Sequence, residues 1–264
     1  MKSKSPPRSD TSQSSLKNPP ARKTRLDALL VERGLAASRE RAQALLIAGQ
    51  VRVNGVRMGK PGTRVATDAR IEIMGEPLRY SSRGGLKLEG ALQDFDVRPQ
   101  GKICLDIGSS TGGFTDCLLQ HGAAKVFAVD VTVSQLDWKL QKDSRVVMVE
   151  RNARYLRPED VTEKVAVVVV DVSFISVRKV LASIVSLTIP GADFLVLIKP
   201  QFELEKRDVG KGGIVRDSLL HQRAVDMVVA TARDLGLEIV DVRPSRVQGA
   251  EGNQEFFLHA RRRG

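Results

Sequence analysis

The segment Ile103-Cys104-Leu105-Asp106-Ile107-Gly108-Ser109-Ser110-Thr111-Gly112-Gly113-Phe114 passes from a short apolar run, through an acid, into a glycine-rich turn. Comparable apolar runs recur at residues 126–129, 146–149, 165–170 and 194–198, each followed by a turn and a helical pattern. Continuous β-branched runs separated by helical segments predict an α/β fold, a doubly wound, mostly parallel sheet covered on both faces. Residues 219–235 supply a late helix, and residues 238–242 and 256–259 read as closing strands.

In such a sheet, ligands gather at the carboxyl ends of the strands. Asp106, Asp130, Asp171 and Lys199 each close an apolar run, which predicts four ionisable groups at that one edge. The turn itself restricts the ligand. A phosphate-binding P-loop needs Lys where Phe114 stands, which disfavours nucleotide hydrolysis. A dinucleotide fingerprint needs Gly where Ser110 stands, so pyrophosphate has no close approach to the backbone. A tight turn behind a carboxylate remains, and it suits a cationic ligand. The methionine part of S-adenosylmethionine carries an ammonium and a sulfonium. Asp130 ends the second strand, the usual place for a carboxylate that accepts from ribose hydroxyls. The candidate cofactor residues are therefore Asp106, Gly108, Ser109, Gly112, Gly113, Phe114 and Asp130, with Asn152 of Asn152-Ala153-Arg154 after the third run.

With those residues, the part from residue 81 onward resembles the FtsJ-like ribose 2′-O-methyltransferases, whose fold is the Rossmann-like class I methyltransferase domain. The signature of that class is a Lys-Asp-Lys-Glu set. The matching residues are Lys87 in Gly84-Gly85-Leu86-Lys87, Asp171 in Asp171-Val172-Ser173-Phe174, Lys199 in Lys199-Pro200-Gln201-Phe202-Glu203, and Glu255 in Asn253-Gln254-Glu255-Phe256. The resemblance implies S-adenosylmethionine as cofactor and RNA as substrate. A ribose 2′-hydroxyl is a poor nucleophile, so a base must take its proton as the methyl arrives. Lysine serves only when neutral, which a neighbouring positive charge favours. Lys199 is assigned as the base and Asp171 as its orienting partner, with Lys87 and Glu255 positioning the ribose. The sequence supports the membership of this set better than its division of labour, and leaves open which lysine is the base.

The N-terminal part reads differently. Residues 1–24 are rich in Ser, Pro and Lys and are expected to be a disordered basic tail. Leu26, Leu29 and Leu30 then recur at helical spacing up to Gly34, and Ser38 stands as N-cap of a second helix that places Ala42, Leu45 and Leu46 inward and ends at Gly49. Asn54-Gly55 between alternating residues signals a two-residue hairpin. Its register pairs Val53 with Val56, Arg52 with Arg57 and Val51 with Met58, giving one apolar face and one with two facing arginines. Like charges across a ladder are unfavourable unless solvated or bridged by an anion such as phosphate. Residues 25–74 resemble the small α+β RNA-binding domain named after ribosomal protein S4, on Arg25-Leu26-Asp27, Ser38-Arg39, Val53-Asn54-Gly55 and Lys60-Pro61. That resemblance implies an RNA-binding face, assigned to Arg25, Arg39, Arg41, Arg52, Arg57 and Lys60. Joined, the S4-like domain (25–80) and the methyltransferase domain (81–264) resemble the TlyA family, which methylates ribosomal RNA on cytidine ribose and often carries the older label haemolysin.

Charge agrees with this division. The chain of 264 residues carries a net +11. Residues 1–24 hold six basic and one acidic residue, residues 25–80 ten and six, and residues 81–264 twenty-six and twenty-four. A basic excess at one end suits a polyanion partner, ribosomal RNA or a ribosomal subunit, although a solubilising tail gives the same pattern. No apolar run approaches the ~20 residues of a membrane span. Two cysteines in apolar segments exclude a disulfide scaffold, and a cytoplasmic protein is expected. Three histidines and two cysteines write no zinc spacing, so no metal is expected. A non-catalytic RNA-binding or ribosome-assembly factor and a pore-forming haemolysin are the competing readings. The loop Gly210-Lys211-Gly212-Gly213 with Arg216 reads equally as a basic flap over RNA and as a plain surface loop. Oligomeric state is not legible.

Overall fold

Short apolar spacings in the first part of the chain and long β-branched runs in the second produce two units, residues 1–76 and 77–264, in a computed structural model. The structure describes residues 22–36, 39–47, 49–74, 79–249 and 252–264. Most of the basic tail, and Ser38 with its predicted capping role, lie outside the described residues, as does the Arg41 side chain.

The first unit contains β1 (Lys23–Arg25), α1 (Leu26–Glu32), α2 (Arg39–Ile47), β2 (Val51–Val53), β3 (Val56–Met58), β4 (Arg64–Ala66) and β5 (Ile71–Ile73). Leu26, Leu29 and Leu30 of α1 pack on Ala42, Leu45 and Leu46 of α2 and on Val51 and Val53 of β2. The hairpin has the register read from the sequence, with Asn54 and Gly55 both at positive φ as a type I′ turn requires. Two expectations are corrected. Lys23 and Thr24 are not tail: they form β1, antiparallel to β4, with Thr24 opposite Val65. The two hairpin arginines do not simply face each other either. Arg57 Nε donates to Gly49 O at 2.7 Å, and Arg52 has Glu72 of β5 on its other side. The Gly49 carbonyl thus takes one of the two guanidinium groups that an anion was expected to bridge. Val56 shares the apolar face but, on the edge strand, stays exposed.

The second unit contains α3 (Gly84–Asp94), β6 (Ile103–Ile107), α4 (Gly113–Gln120), β7 (Lys125–Asp130), α5 (Trp138–Gln141), β8 (Val146–Glu150), β9 (Val165–Val170), α6 (Arg178–Val185), β10 (Thr188–Ile198), α7 (Pro200–Glu203), α8 (Ser218–Asp234), β11 (Leu237–Pro244) and β12 (Phe256–Arg262). The strand order is β11-β12-β10-β9-β6-β7-β8. Strands β10, β9, β6, β7 and β8 are mutually parallel, whereas β12 runs antiparallel to both β10 and β11. Alternate strand residues enter opposite cores. Leu105, Ile107, Val168 and Val170 meet α6 and α8, while Cys104, Val167 and Val169 meet α3 and α4. Burial on both faces explains why these strands read as unbroken apolar runs. From β6 the chain winds first towards β8 and then towards β10, so the topological switch point lies between β6 and β9.

Candidate active site

Asp171 directly follows β9 and Lys199 directly follows β10, and these strands are parallel neighbours. Their side chains therefore emerge together. Lys199 Nζ lies 2.5 Å from Asp171 Oδ1 in an ion pair and donates to Ser173 Oγ at 2.8 Å. The antiparallel run of β12 places its start opposite the end of β10, with Ile198 facing Phe256. Glu255, one residue earlier, thereby reaches the same sheet edge. Its Oε2 accepts from Lys87 Nζ of α3 at 2.6 Å. Lys87 reaches this edge because α3 and α4 touch almost backbone to backbone: a Cβ on Gly113 would stand 2.1 Å from Ser82 Oγ and 3.0 Å from Gly85 N.

A cavity of about 230 Å³ is lined by Lys87, Asp171, Ser173, Lys199 and the turn Gly108–Thr111. A larger one, about 580 Å³, is lined by Asp130, Gln135, Asn152, Phe174 and Ile175. Gly108, Ser110, Asp171 and Ser173 belong to both walls. Gly108 sits at φ +85, where a Cβ would approach Asp171 O to 2.4 Å, so glycine lets the turn lie directly on the end of β9. At the far side, Asp130 accepts from Ser110 N at 2.9 Å and Thr132 N at 3.1 Å. Each of its oxygens keeps a lone pair for a further donor.

Asp106 departs from its expected place. It lies inside β6, fully buried, and lines neither cavity. Thr115 Oγ1 donates to its Oδ2 at 2.6 Å, and Oδ1 has no hydrogen-bond partner. Burial pushes its carboxyl up to about 7, against the opposing pull of the Thr115 hydrogen bond. Gly112 also lines neither cavity; at φ +93 it makes room for Leu140 and Leu136, a packing role. Glu255 is buried behind Lys87 and is absent from both walls, so the structure offers it Lys87 rather than a ribose. Gly108, Ser109, Gly113, Phe114, Asp130 and Asn152 do line the cleft.

Sequence reading missed Ser173, which holds Lys199, and Phe174, whose backbone is at φ +63 and whose ring is 92% exposed beside Phe202. A serine two residues beyond a strand-ending acid was the available signal for the first; a left-handed phenylalanine leaves none. In the first unit, Arg25 and Arg39 are fastened to buried Asp27, at 2.8 and 3.1 Å, while Arg52 and Lys60 are exposed. Asp27 also accepts from Gln43 Nε2 and Ala28 N.

An FtsJ-like methyltransferase family model matches residues 80–262, and an S4 domain model matches residues 24–71. Among curated proteins, YqxC of Bacillus subtilis is 48% identical, over 90% of this chain and 86% of its own. The 16S/23S rRNA (cytidine-2′-O)-methyltransferase TlyA of Mycobacterium tuberculosis is 46% identical over 91% of both chains. A solved structure from Streptococcus thermophilus is 41% identical with TM-score 0.72, covering 91% of this chain and 89% of that one. With a strand-end cleft of this geometry and these matches along nearly its whole length, the chain belongs to the TlyA family of FtsJ-like methyltransferases that carry an S4 domain.

Proposed function

We propose that the protein transfers a methyl group from S-adenosylmethionine to the 2′-hydroxyl of a cytidine in ribosomal RNA. The observation that carries this reading is Lys199, which lines the smaller cavity and is held by Asp171 and Ser173, two residues of the wall common to both cavities. The larger cavity fits the cofactor chemically. Asp130 has lone pairs for ribose hydroxyls, Asn152 and Gln135 offer amides, and Val131, Ile175 and Val180 supply apolar surface for a ring. Bound there, the cofactor supplies an electrophilic methyl group on a sulfonium.

The chain does the rest. Lys199 Nζ, in its neutral form, takes the hydroxyl proton as the oxygen gains the methyl group and the carbon–sulfur electron pair stays with sulfur, and Asp171 and Ser173 aim the amine. Glu255 fixes Lys87, which presents a second amine to the same cavity. Correct placement of a base contributes about 10²–10⁴-fold. The S4 unit supplies RNA affinity through Arg52, Arg57 and Lys60, with Arg25 and Arg39 shaping its surface through Asp27. Ribosomes place this activity in the cytoplasm.

The test is incubation with radiolabelled S-adenosylmethionine and unmodified ribosomal subunits, followed by mapping of the labelled nucleotide. Label on a cytidine ribose is the expected result. Intact cofactor binding with no transfer to any RNA would favour the assembly-factor reading instead. No helix among the described residues is long and apolar enough to cross a membrane.

A further inference from the structure

Two segments deliver the reacting groups. One is the loop from Asp171 to Val177 after β9, the other is Lys199 with the short helix α7 after β10. The loop is held partly by apolar packing, Val172 and Ile175 against the core and Phe174 against Phe202. Phe174, near its middle, is in the left-handed region, unfavourable for a bulky residue, and its side chain is almost wholly exposed. At its near end the loop is fixed by Asp171 N donating to Ile107 O at 2.9 Å. At its far end, where Val177 enters the core, its polar groups are tied by one side chain of α7. Glu203, 5% exposed, accepts from Val177 N at 2.7 Å on Oε1, and from Ser176 Oγ at 2.5 Å and Arg178 Nε at 3.2 Å on Oε2.

We infer that Glu203 is a positioning residue for methyl transfer: its buried carboxylate clamps the Asp171–Val177 loop to the segment bearing Lys199, and so sets the Lys199–Asp171–Ser173 contact. This rests on the reading of Lys199 as the base. The chemistry of the clamp is specific. Val177 N heads α6, where a carboxylate meets unpaired N–H groups and the positive end of the helix dipole. Charge-assisted bonds to Ser176 and Arg178 hold the same carboxylate from the other side. Without it, a buried N–H loses its partner, and the far end of the loop keeps its apolar packing but loses this polar tie to the segment bearing Lys199. Asp171 and Ser173 lie between the two anchors, and both contact Lys199 Nζ, so loss of the second anchor widens the geometry at the amine. A misplacement of about 1 Å at a reacting group is enough to lower turnover by about 10²-fold.

A plain helix-capping role predicts a different outcome, because a lost cap lowers melting temperature but leaves turnover per folded molecule unchanged. The experiment compares Glu203→Ala, Glu203→Gln, Ser176→Ala and Lys199→Ala in the full chain, with methyl transfer to unmodified ribosomal subunits measured well below each melting temperature. Glutamine keeps an acceptor for Val177 N and a polar partner for Ser176, losing only the Arg178 contact. The clamp predicts that Glu203→Ala lowers kcat at least 10-fold with KM for the subunit changed less than threefold. It also predicts that Glu203→Gln recovers most of that loss and that Ser176→Ala loses about threefold. Wild-type kcat in folded Glu203→Ala overturns the inference; should that variant not fold, wild-type kcat in Ser176→Ala does so. If Lys199→Ala is itself fully active, the base assignment fails and the inference with it. If Lys199→Ala is dead while Glu203→Ala is fully active, only the inference fails.

Discussion

Asp106 is buried in β6 with one oxygen on Thr115 and the other unpartnered, and its replacement by Asn gives a sharply defined expectation. Burial pushes its carboxyl from 3.8 up to about 7, so the folded state favours the protonated form. A group whose pKa is raised on folding binds its proton more tightly in the native state, so its contribution to stability is greatest at low pH and falls as pH rises through the native value. Each pKa unit is about 1.4 kcal/mol, which makes the full loss about 4 kcal/mol, of which about 3 kcal/mol falls between pH 5 and pH 8. Asn keeps the acceptor for Thr115 and cannot ionise. The stability difference, Asp106→Asn minus wild type, should therefore rise by about 3 kcal/mol from pH 5 to pH 8, all other titrating groups being common to both proteins. Urea unfolding followed by fluorescence reads this directly, since the only tryptophan, Trp138, lies in the methyltransferase unit. A difference that stays constant across that range, within about 0.5 kcal/mol, would refute the assignment of a destabilising buried carboxylate.

Lys199→Ala should lower kcat by about 10²-fold or more, the scale of a lost general base, with cofactor affinity measured by calorimetry changed less than about threefold. Gly108→Ala forces a Cβ to 2.4 Å from Asp171 O at a positive φ, and should weaken cofactor binding at least about 10-fold; unchanged affinity would contradict the shared wall. The Arg25 guanidinium beside Asp27 holds that carboxyl well below the usual range, so its support of the S4 unit is present above pH ~4 and lost as pH falls further. Hydrogen exchange at Leu26–Glu32 in Asp27→Asn should show weakened protection at neutral pH and less additional loss on acidification than wild type. Raising salt from ~50 to ~200 mM should increase KM for the subunit steeply while leaving kcat nearly constant, because phosphate contacts release counterions and the chemical step does not.

The sheet was legible because burial on both faces writes unbroken apolar runs, and its runs coincide with β6 to β10. Two features resisted. β1 is three residues of Lys-Thr-Arg whose only reason to be extended is the partner β4, some forty residues away, and local composition there resembles tail. Asp106 was read as a strand-end acid because Ile107 and Gly108 look like the turn; in the structure the strand continues through Ile107 and buries the carboxylate. Hairpin register was fully written in the sequence by Asn54-Gly55, yet the resting places of its arginines were not. Arg57 finds the carbonyl of Gly49, and Arg52 stands in register with Glu72 of the next strand.

For the site, sequence gives membership and topology gives roles. A strand-end position tells which residues reach the carboxyl edge, but the neighbours met there depend on strand order. Asp171 meets Lys199 because β9 adjoins β10, and Glu255 meets Lys87 because β12 returns antiparallel beside β10. The consequence is electrostatic. Each lysine of the cleft is matched by one acid, so these four groups add no net charge where the RNA must enter. Attraction of a polyanion then falls to the rest of the surface, and residues 1–80 hold most of the basic excess of the chain. On the proposed function, capture and chemistry would then fall to different units. With its two lysines already paired, the cleft leaves Arg83 as the further cation on the smaller cavity's wall, so most of the pull on a polyanion comes from the docking surface rather than from the reacting groups.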